Sequence, residues 1–572
     1  MLVRRDGLRL ADTRAEIDRL DALLRRLCDQ DGRDLAVEAL IEAGALEAAV
    51  ADALNPDRDG FTARDGTWRT VTLETAKLFR ASRRGEPDKA RAAAKKARKA
   101  LAEAIRLRLP DSLSIETADG YAWRGLYPET YLEAAERFLA SSAPISTVVV
   151  GLRGVGASLS AVVAAALEAG GRDTESVTVR AHEVAEGRMV RFDERLAGRL
   201  GRRAQAGAWF LLVDDGPGST GASFAAAAEA LNGIGARDEQ IVLFPGLAAE
   251  GAKLRSAEAR ARWGRHRKLQ VGFEAMRDSL APGLERSRDL SRGLWREVLK
   301  ANLGRPVTAP QHERRKYLSP DGATLFRYAG LGRSGRERLE RAGRLAEAGF
   351  TPEPKSFADG FLAEEFVSGR SLHGRRRDPA DIAHAARYLG WLGRYARTGA
   401  ALTGEELTPM ILRNVQQSLG EEGLSRLVGL EAWPARLAGA PAVAIDGRLA
   451  PHEWIRSERG LLKTDALDHH DDRFMPGPTD IAWDVAGFSV EWGLDAGAAR
   501  DFAAAVAIEA ADATLDRRLP FYETAYLAFR TGFTHEAAEA LPEGSDRRGL
   551  RRQAARYRAR LDQALDRMQA FG

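Results

Sequence analysis

The chain has 572 residues, 44% hydrophobic and 29% charged, and its 86 Lys and Arg against 82 Asp and Glu leave a net charge of +4. That length exceeds a single core, so two or more domains are expected, and the composition excludes a disordered chain. No apolar run reaches the roughly 20 residues that span a bilayer, the amino-terminal stretch lacks an apolar signal region, and Cys28 is the one cysteine, which together predict a cytoplasmic protein without disulfides.

Residues 1–110 are predicted to be helical, with Leu20, Leu23, Leu24 and Leu27 recurring at helical spacing, as do Leu35, Val37, Leu40 and Ile41. Pro56, Gly60 and Gly66 punctuate a predicted loop or hairpin between Asn55 and Thr72. Asp88–Leu107 reads as a basic helix whose KKARKA run, Lys95–Ala100, is a solvated face. No aromatic residues interleave with its charges, which argues against nucleic acid as a partner.

Residues 111–248 alternate strand and helix. Ser114–Trp123 is predicted as a hairpin turning at Asp119-Gly120. Strands follow at Ser146–Val150, Ser176–Val179, Trp209–Val213 and Gln240–Phe244, with helices at Tyr131–Leu139, Leu159–Leu167 and Phe224–Leu231. This order predicts a parallel sheet with right-handed crossovers. The stretch Trp209–Phe224, WFLLVDDGPGSTGASF, sets Asp214 and Asp215 at a strand end before a glycine-rich loop that opens a helix. Carboxylates suit hydroxyls or Mg2+, and such a loop offers backbone N–H groups to a phosphate.

LLVDDGPGSTGAS resembles the signature of type I phosphoribosyltransferases. The resemblance implies that Asp214 and Asp215 hold the ribose hydroxyls of PRPP, and that Gly216, Gly218, Ser219, Thr220 and Gly221 hold its phosphate. The earlier turn Gly151–Gly156 resembles that family's pyrophosphate loop, which implies a role for Arg153, Gly154 and Gly156. Here the loop Gly216–Thr220 is one residue longer than the family's usual spacing. His182, Arg188 and Arg191, within Ala181–Asp193, are candidates for a catalytic loop.

Residues 249–310 read as an Arg-rich, mostly helical bridge. From residue 311 onward a second pattern begins, with strands at Arg315–Leu318, Thr324–Tyr328 and Phe361–Val367, short strands at Val443–Ile445, Trp454–Arg456 and Leu461–Thr464, and helices elsewhere. FLAEEFVSGRSL (Phe361–Leu372), GRLAPHEW (Gly447–Trp454), LLKTD (Leu461–Asp465) and DIAWD (Asp480–Asp484) together resemble the aminoglycoside-phosphotransferase branch of the kinase-like fold. The resemblance places Arg327 where that family has its phosphate-gripping Lys, Arg448 at its base Asp, and Glu453 and Asp465 at its metal ligands. An arginine cannot act as a general base, and Asp446 is the nearby substitute. Thr464–Asp472, TDALDHHDD, adds Asp465, Asp468 and His469 as candidate metal ligands, with an exposed polar loop as the alternative.

The fold class expected is therefore multidomain α/β and α+β: a helical region over 1–110, a phosphoribosyltransferase-like domain over 111–248, the bridge, and a two-lobed kinase-like domain over 311–572. The function expected is PRPP-dependent phosphoribosyl transfer to a small molecule, with Mg2+ and a kinase-like half that engages ATP. The alternative is a non-catalytic regulatory protein that binds a ribose phosphate or nucleotide.

Overall fold

The computed structural model describes residues 7–30, 32–60, 62–141, 145–185, 187–216, 221–246, 254, 257–299, 304–399, 402–427, 429–472 and 474–569. A short strand, β1 (Leu8–Asp12), precedes the helices α1 (Thr13–Asp29), α2 (Arg33–Leu54), α3 (Ala63–Arg83) and α4 (Pro87–Ala104). The leucines of α1 at helical spacing are buried in a core shared with α2, α3 and α4. The expected break over Asn55–Thr72 is shorter than the glycines suggest. Thr62 and Asp65 form a reciprocal cap, the Asp65 carboxylate accepting the Thr62 N–H at 2.8 Å, so Gly66 lies inside α3.

The amino-terminal region is not wholly helical, and the expected hairpin at Ser114–Trp123 does not form. β2 (Ser112–Glu116) instead pairs antiparallel with β1, Leu8 opposite Glu116. Asp119-Gly120 opens a short helix, α5 (Asp119–Ala122), rather than a turn, and the Trp123 N–H closes it on the Asp119 carbonyl at 2.9 Å.

Beyond α6 (Pro128–Ser141) the chain runs through β3 (Ser146–Leu152), α7 (Val155–Ala169) and β4 (Asp173–Val179). An antiparallel hairpin follows, β5 (His182–Val184) with β6 (Gly187–Met189). Then come α8 (Glu194–Gln205), β7 (Trp209–Asp214), α9 (Ala222–Gly233), β8 (Ile241–Pro245), α10 (Ala257–Arg265) and β9 (Arg267–Lys268). The five strands form one parallel sheet in the order β4-β3-β7-β8-β9. Helices cover both faces, which is why the central strands β3, β7 and β8 are largely apolar runs. Val149, Leu211, Val213, Val242 and Phe244 face α6 and α7, and the alternating residues Val148, Val150, Phe210, Leu212 and Leu243 face the opposite side with α8 and α9.

The amino-terminal helices dock on this sheet through α7. Gly44 of α2 allows that approach, since a Cβ there would lie 2.6 Å from Ser158 Cβ. Arg69 of α3 enters the contact and is 2% exposed. It pairs with Glu47 at 3.0 Å and donates to Ser160 Oγ at 2.9 Å and to the Ala157 carbonyl at 2.8 Å.

After α11 (Phe273–Leu280) an antiparallel sheet begins. Its strands are β10 (Arg288–Asp289), β11 (Lys316–Leu318), β12 (Thr324–Tyr328), β13 (Pro354–Ala358) and β14 (Phe361–Glu365), in the order β10-β11-β12-β14-β13, with α12 (Gly332–Glu347) between β12 and β13. β15 (Arg370–Ser371) leads to α13 (Pro379–Tyr395), α14 (Gly404–Ser425) and α15 (Trp433–Leu437). β16 (Trp454–Ser457) and β17 (Gly460–Lys463) join β15 in a small sheet. The helices α16 (Ala482–Trp492), α17 (Ala496–Ala510), α18 (Leu515–Glu539) and α19 (Ser545–Gln569) complete a helical layer around Trp454, Trp483 and Trp492.

The two halves share a core. Tyr317, Tyr328, Leu331 and Phe361 pack with Tyr121, Tyr127, Tyr131 and Val213. Trp123 is held between two guanidinium groups, Arg314 at 4.7 Å and Arg338 at 3.8 Å from its ring centre. Arg338 also donates to the Ala122 carbonyl at 2.6 Å.

Candidate functional site

A cleft of about 970 Å³ lies between the antiparallel sheet and the helical layer. Its lining includes the apolar side chains of Leu290, Val298, Leu299, Leu325, Val367 and Ile455 and the charged ones of Lys316, Arg327, Arg448, Glu453 and Asp465. The candidates Arg327, Arg448, Glu453 and Asp465 thus line one cavity, although they come from distant stretches of chain. Trp295 also lines it, stacks on His452 at 5.3 Å, and donates its indole N–H to Glu313 at 2.9 Å.

The loop Asp446–Glu453 is fixed from below by α16. Asp484 accepts the Asp446 N–H at 2.7 Å and the Gly447 N–H at 2.8 Å. Gly447 has φ +76°, a left-handed conformation that favours glycine at this turn. Asp446 points inward, where its carboxylate accepts from the Tyr388 hydroxyl at 2.6 Å and lies 3.3 Å from Lys463 Nζ. It is 1% exposed, so it does not offer a base to the cleft in place of Arg448.

Four acids at this end, Glu364, Asp465, Glu453 and Asp446, have basic partners. Arg327 makes paired bonds of 2.9 Å to Glu364 and one of 2.8 Å to Asp465. The Lys316 ammonium lies 3.5 Å from Asp465. Lys463, with no exposed side-chain surface, bonds Glu453 at 3.0 Å, and Arg448 meets the same carboxylate at 2.6 Å. Burial works to raise the Asp465 carboxyl, but Lys316, His469, Arg327 and Lys463 around it hold it well below the ordinary range.

The residues offered for Mg2+ do not fit that ion as they are arranged, because the Glu453 and Asp465 oxygens are each committed to two cations. Asp465, Asp468 and His469 do lie together, with ligand atoms within 4.8 Å of one another. Asp468 is taken by Arg314 at 3.1 Å. Burial favours neutral His469, yet Asp446, Asp465 and Asp468 outweigh it and raise its pKa. A metal would therefore have to compete with a proton for this ring.

Sequence reasoning passed over Lys316, Glu364, His452 and Lys463. Lys463 stood in the quoted LLKTD run, but its role depends on Glu453 and Asp446 arriving from another loop. Glu364 stands opposite Leu325, and it meets Arg327 only through the register of β12 and β14.

The parallel sheet places its own candidates at the carboxyl ends of β3 and β7. Asp214 accepts the Asp215 N–H at 2.8 Å, and Asp215 pairs with Arg124 at 3.2 Å. Burial, then the neighbouring Asp215, pushes the Asp214 carboxyl well above its ordinary range. Arg153 binds Asp52 at 2.7 Å and also Asp59, and its side chain is 1% exposed. Gly154 faces Glu116, and a Cβ on Gly156 would meet the Val213 carbonyl at 2.7 Å. Gly156 therefore answers to close packing of the turn on β7, and Gly154 to its φ of +111°. Gly216 ends β7's turn and Gly221 caps α9 at φ +68°, while Gly218, Ser219 and Thr220 lie outside the described residues. His182 and Arg188 sit in the β5–β6 hairpin, with Arg188 bonded to Ser223 at 2.9 Å.

No protein-family profile and no curated protein matches the chain. Among solved structures it is similar to choline kinase LicA from Streptococcus pneumoniae, with 15% identity over 51% of this chain and 99% of that one and a TM-score of 0.33. A choline/ethanolamine kinase family protein from Mesorhizobium loti matches at 16% identity over 45% and 89%, with a TM-score of 0.32. A glucosamine kinase matches at 16% over 44% and 76%, with a TM-score of 0.31. The expectation of PRPP-dependent phosphoribosyl transfer is corrected on this ground: the matches are small-molecule kinases. The local chemistry agrees, since the Arg153 guanidinium is committed to Asp52 and Asp59 rather than free for pyrophosphate. No helix among the described residues is long and apolar enough to cross a membrane.

Proposed function

We propose that the cleft of the carboxy-terminal half binds a nucleotide, and that the chain does so without the carboxylate base of ordinary kinase chemistry. The observation that carries this reading is that two kinds of side chain line the cleft, apolar ones at Leu290, Leu299, Val367 and Ile455 and basic ones at Lys316, Arg327 and Arg448. A flat base suits the first kind and phosphates the second. The residue that the kinase-like resemblance sets at the base position is Arg448, and the nearby Asp446 is enclosed. The test is calorimetric titration of the full-length protein with AMP, ADP, ATP and adenosine. Saturable binding that Arg448→Ala weakens about tenfold for ATP, about 1.4 kcal/mol, is the expected result. Absence of saturable binding by all four overturns the reading.

A second reading, phosphoryl transfer to a small hydroxyl compound, is favoured by His452. Its Nε2 is buried without a hydrogen-bond partner, and the residue lines the cleft. Burial first and Arg448 second hold its pKa well below the ordinary value, so the imidazole is neutral, and it gains strength as a base only where bound phosphates offset Arg448. Some of the similar proteins are named as kinases of choline, ethanolamine or glucosamine, so those compounds are the acceptors to try. ADP release that depends on one of them and is lost in His452→Phe supports transfer; its absence with all three leaves binding alone.

A further inference from the structure

A nucleotide bound through its phosphates at acidic side chains normally needs a divalent cation between them, because carboxylate and phosphate repel. Magnesium asks for near-octahedral oxygen ligands at about 2.0–2.1 Å. In this cleft the oxygens that would supply them are already neutralised from within the protein. Glu453 is shared by Lys463 and Arg448 at 3.0 and 2.6 Å. Asp465 is shared by Arg327 and Lys316 at 2.8 and 3.5 Å. Glu364 holds the second edge of Arg327 at 2.9 Å, and Asp446 lies 3.3 Å from Lys463.

A dication entering this set would sit beside guanidinium and ammonium groups that cannot lose their charge by moving away. Arg327 is 4% exposed and Lys463 fully enclosed. Arg448 and Lys316 are less confined, with 28% and 16% of their side-chain surfaces exposed. Both reach the cavity, so their free N–H groups are available to phosphate oxygens on its open side.

Resting on the nucleotide reading above, we propose that the cleft binds nucleotide phosphates without a divalent cation, with Lys316, Arg327, Arg448 and Lys463 filling the place that a metal would take. The arrangement separates the two tasks. Arg327 and Lys463 neutralise the buried acids, and Lys316 and Arg448 meet the ligand. Binding then depends on fixed protein charge and not on the metal content of the solution.

The experiment is titration of the full-length protein with ATP and with adenosine, each in magnesium chloride and in EDTA. The expected result is an ATP dissociation constant that changes by less than about threefold between the two buffers. Lys316→Ala and Arg448→Ala should weaken ATP in EDTA by about tenfold while leaving adenosine within about twofold. ATP binding that is about tenfold or more tighter in magnesium overturns the proposal and leaves the nucleotide reading intact. Equal weakening of ATP and adenosine by the two variants also overturns it, since the side chains would then be shaping the pocket and not meeting phosphate. No binding of either ligand in either buffer removes the nucleotide reading and this inference with it. Water-proton relaxation with Mn2+ alone gives a readout independent of nucleotide: no enhancement over a protein-free control is expected, and saturable enhancement that nucleotide increases overturns the proposal.

Discussion

Lys463 is the residue on which the charge balance of the cleft turns, and its replacement tests that balance directly. Lys463→Met keeps the length and apolar stem of the side chain but removes the ammonium. Glu453 and Asp446, 4% and 1% exposed, would each lose a cation at 3.0 and 3.3 Å. Breaking a buried pair by removing one partner destabilises a protein by about 3–5 kcal/mol, because the remaining charge stays buried. A unit of 150–250 residues shifts its midpoint by about 2–4 °C per kcal/mol, so a fall of about 6–20 °C is expected in the carboxy-terminal transition. Arg459→Ala is the control. It removes a pair with Glu365 whose partners are 52% and 43% exposed, and an exposed pair contributes only about 0–1 kcal/mol. Thermal unfolding followed by tryptophan fluorescence reads both, since Trp454 and Trp483 are in the adjoining core. Adding Glu453→Gln to Lys463→Met should recover part of the loss by removing an uncompensated charge. The reasoning fails if Lys463→Met is no more destabilising than Arg459→Ala, or if the double variant is simply the sum of two losses.

The remaining predictions concern packing and pH. Gly44→Ala should destabilise the docking of α2 on α7 by about 1–3 kcal/mol, since the added methyl meets Ser158 backbone and side chain; thermal unfolding within about 0.5 kcal/mol of the parent would refute the close approach. Burial, with Arg341 as the next cause, brings the His470 pKa down to about 3. The folded state therefore prefers the neutral ring, while the unfolded chain takes up a proton near pH 6.5. The contribution is present above that pH and declines toward pH 3 by up to about 1.4 kcal/mol per unit. His470→Gln should flatten the acid limb of a stability–pH curve, and an unchanged slope would count against it.

The parallel sheet was legible because both of its faces are covered. Residues such as Val148 and Val149 point to opposite cores, so the strands carry no polar alternation and stand out as apolar runs. β1 was not legible: LRLAD is five residues long, and its partner β2 begins a hundred residues later, after the intervening helices have been placed. Asp119-Gly120 carried a turn signal that either structure could satisfy, and the Trp123 side chain, gripped by Arg314 and Arg338, favours the helix. The glycines at Gly154 and Gly156 misled for a related reason. A turn pressed against a neighbouring strand and a turn wrapped around an anion both need glycine, so the residue type alone does not distinguish them. The cleft residues were legible one by one, while their mutual neutralisation was not, because charge pairing is set by strand register and loop placement.

That neutralisation also explains why the two halves are joined as they are. Arg314 bonds Asp468 and Asp472 at 3.1 and 2.6 Å and lies over the Trp123 ring. Arg338 also lies over that ring, at 3.8 Å from its centre, and reaches Asp471 at 3.3 Å. The acidic run after Asp465 is therefore held by arginines that Trp123, a residue of the amino-terminal half, keeps in place. Tyr317, Tyr328, Leu331 and Phe361 would be uncovered if the halves were separated. Large apolar side chains exposed together favour aggregation over folding. Two basic side chains of the cleft lie one residue away from this shared core: Lys316 precedes Tyr317 and Arg327 precedes Tyr328 on the same strands, and alternation sends one neighbour to the core and the other to the cleft. The position of the cationic end is thus set by how firmly the neighbouring tyrosines are seated against the parallel-sheet half.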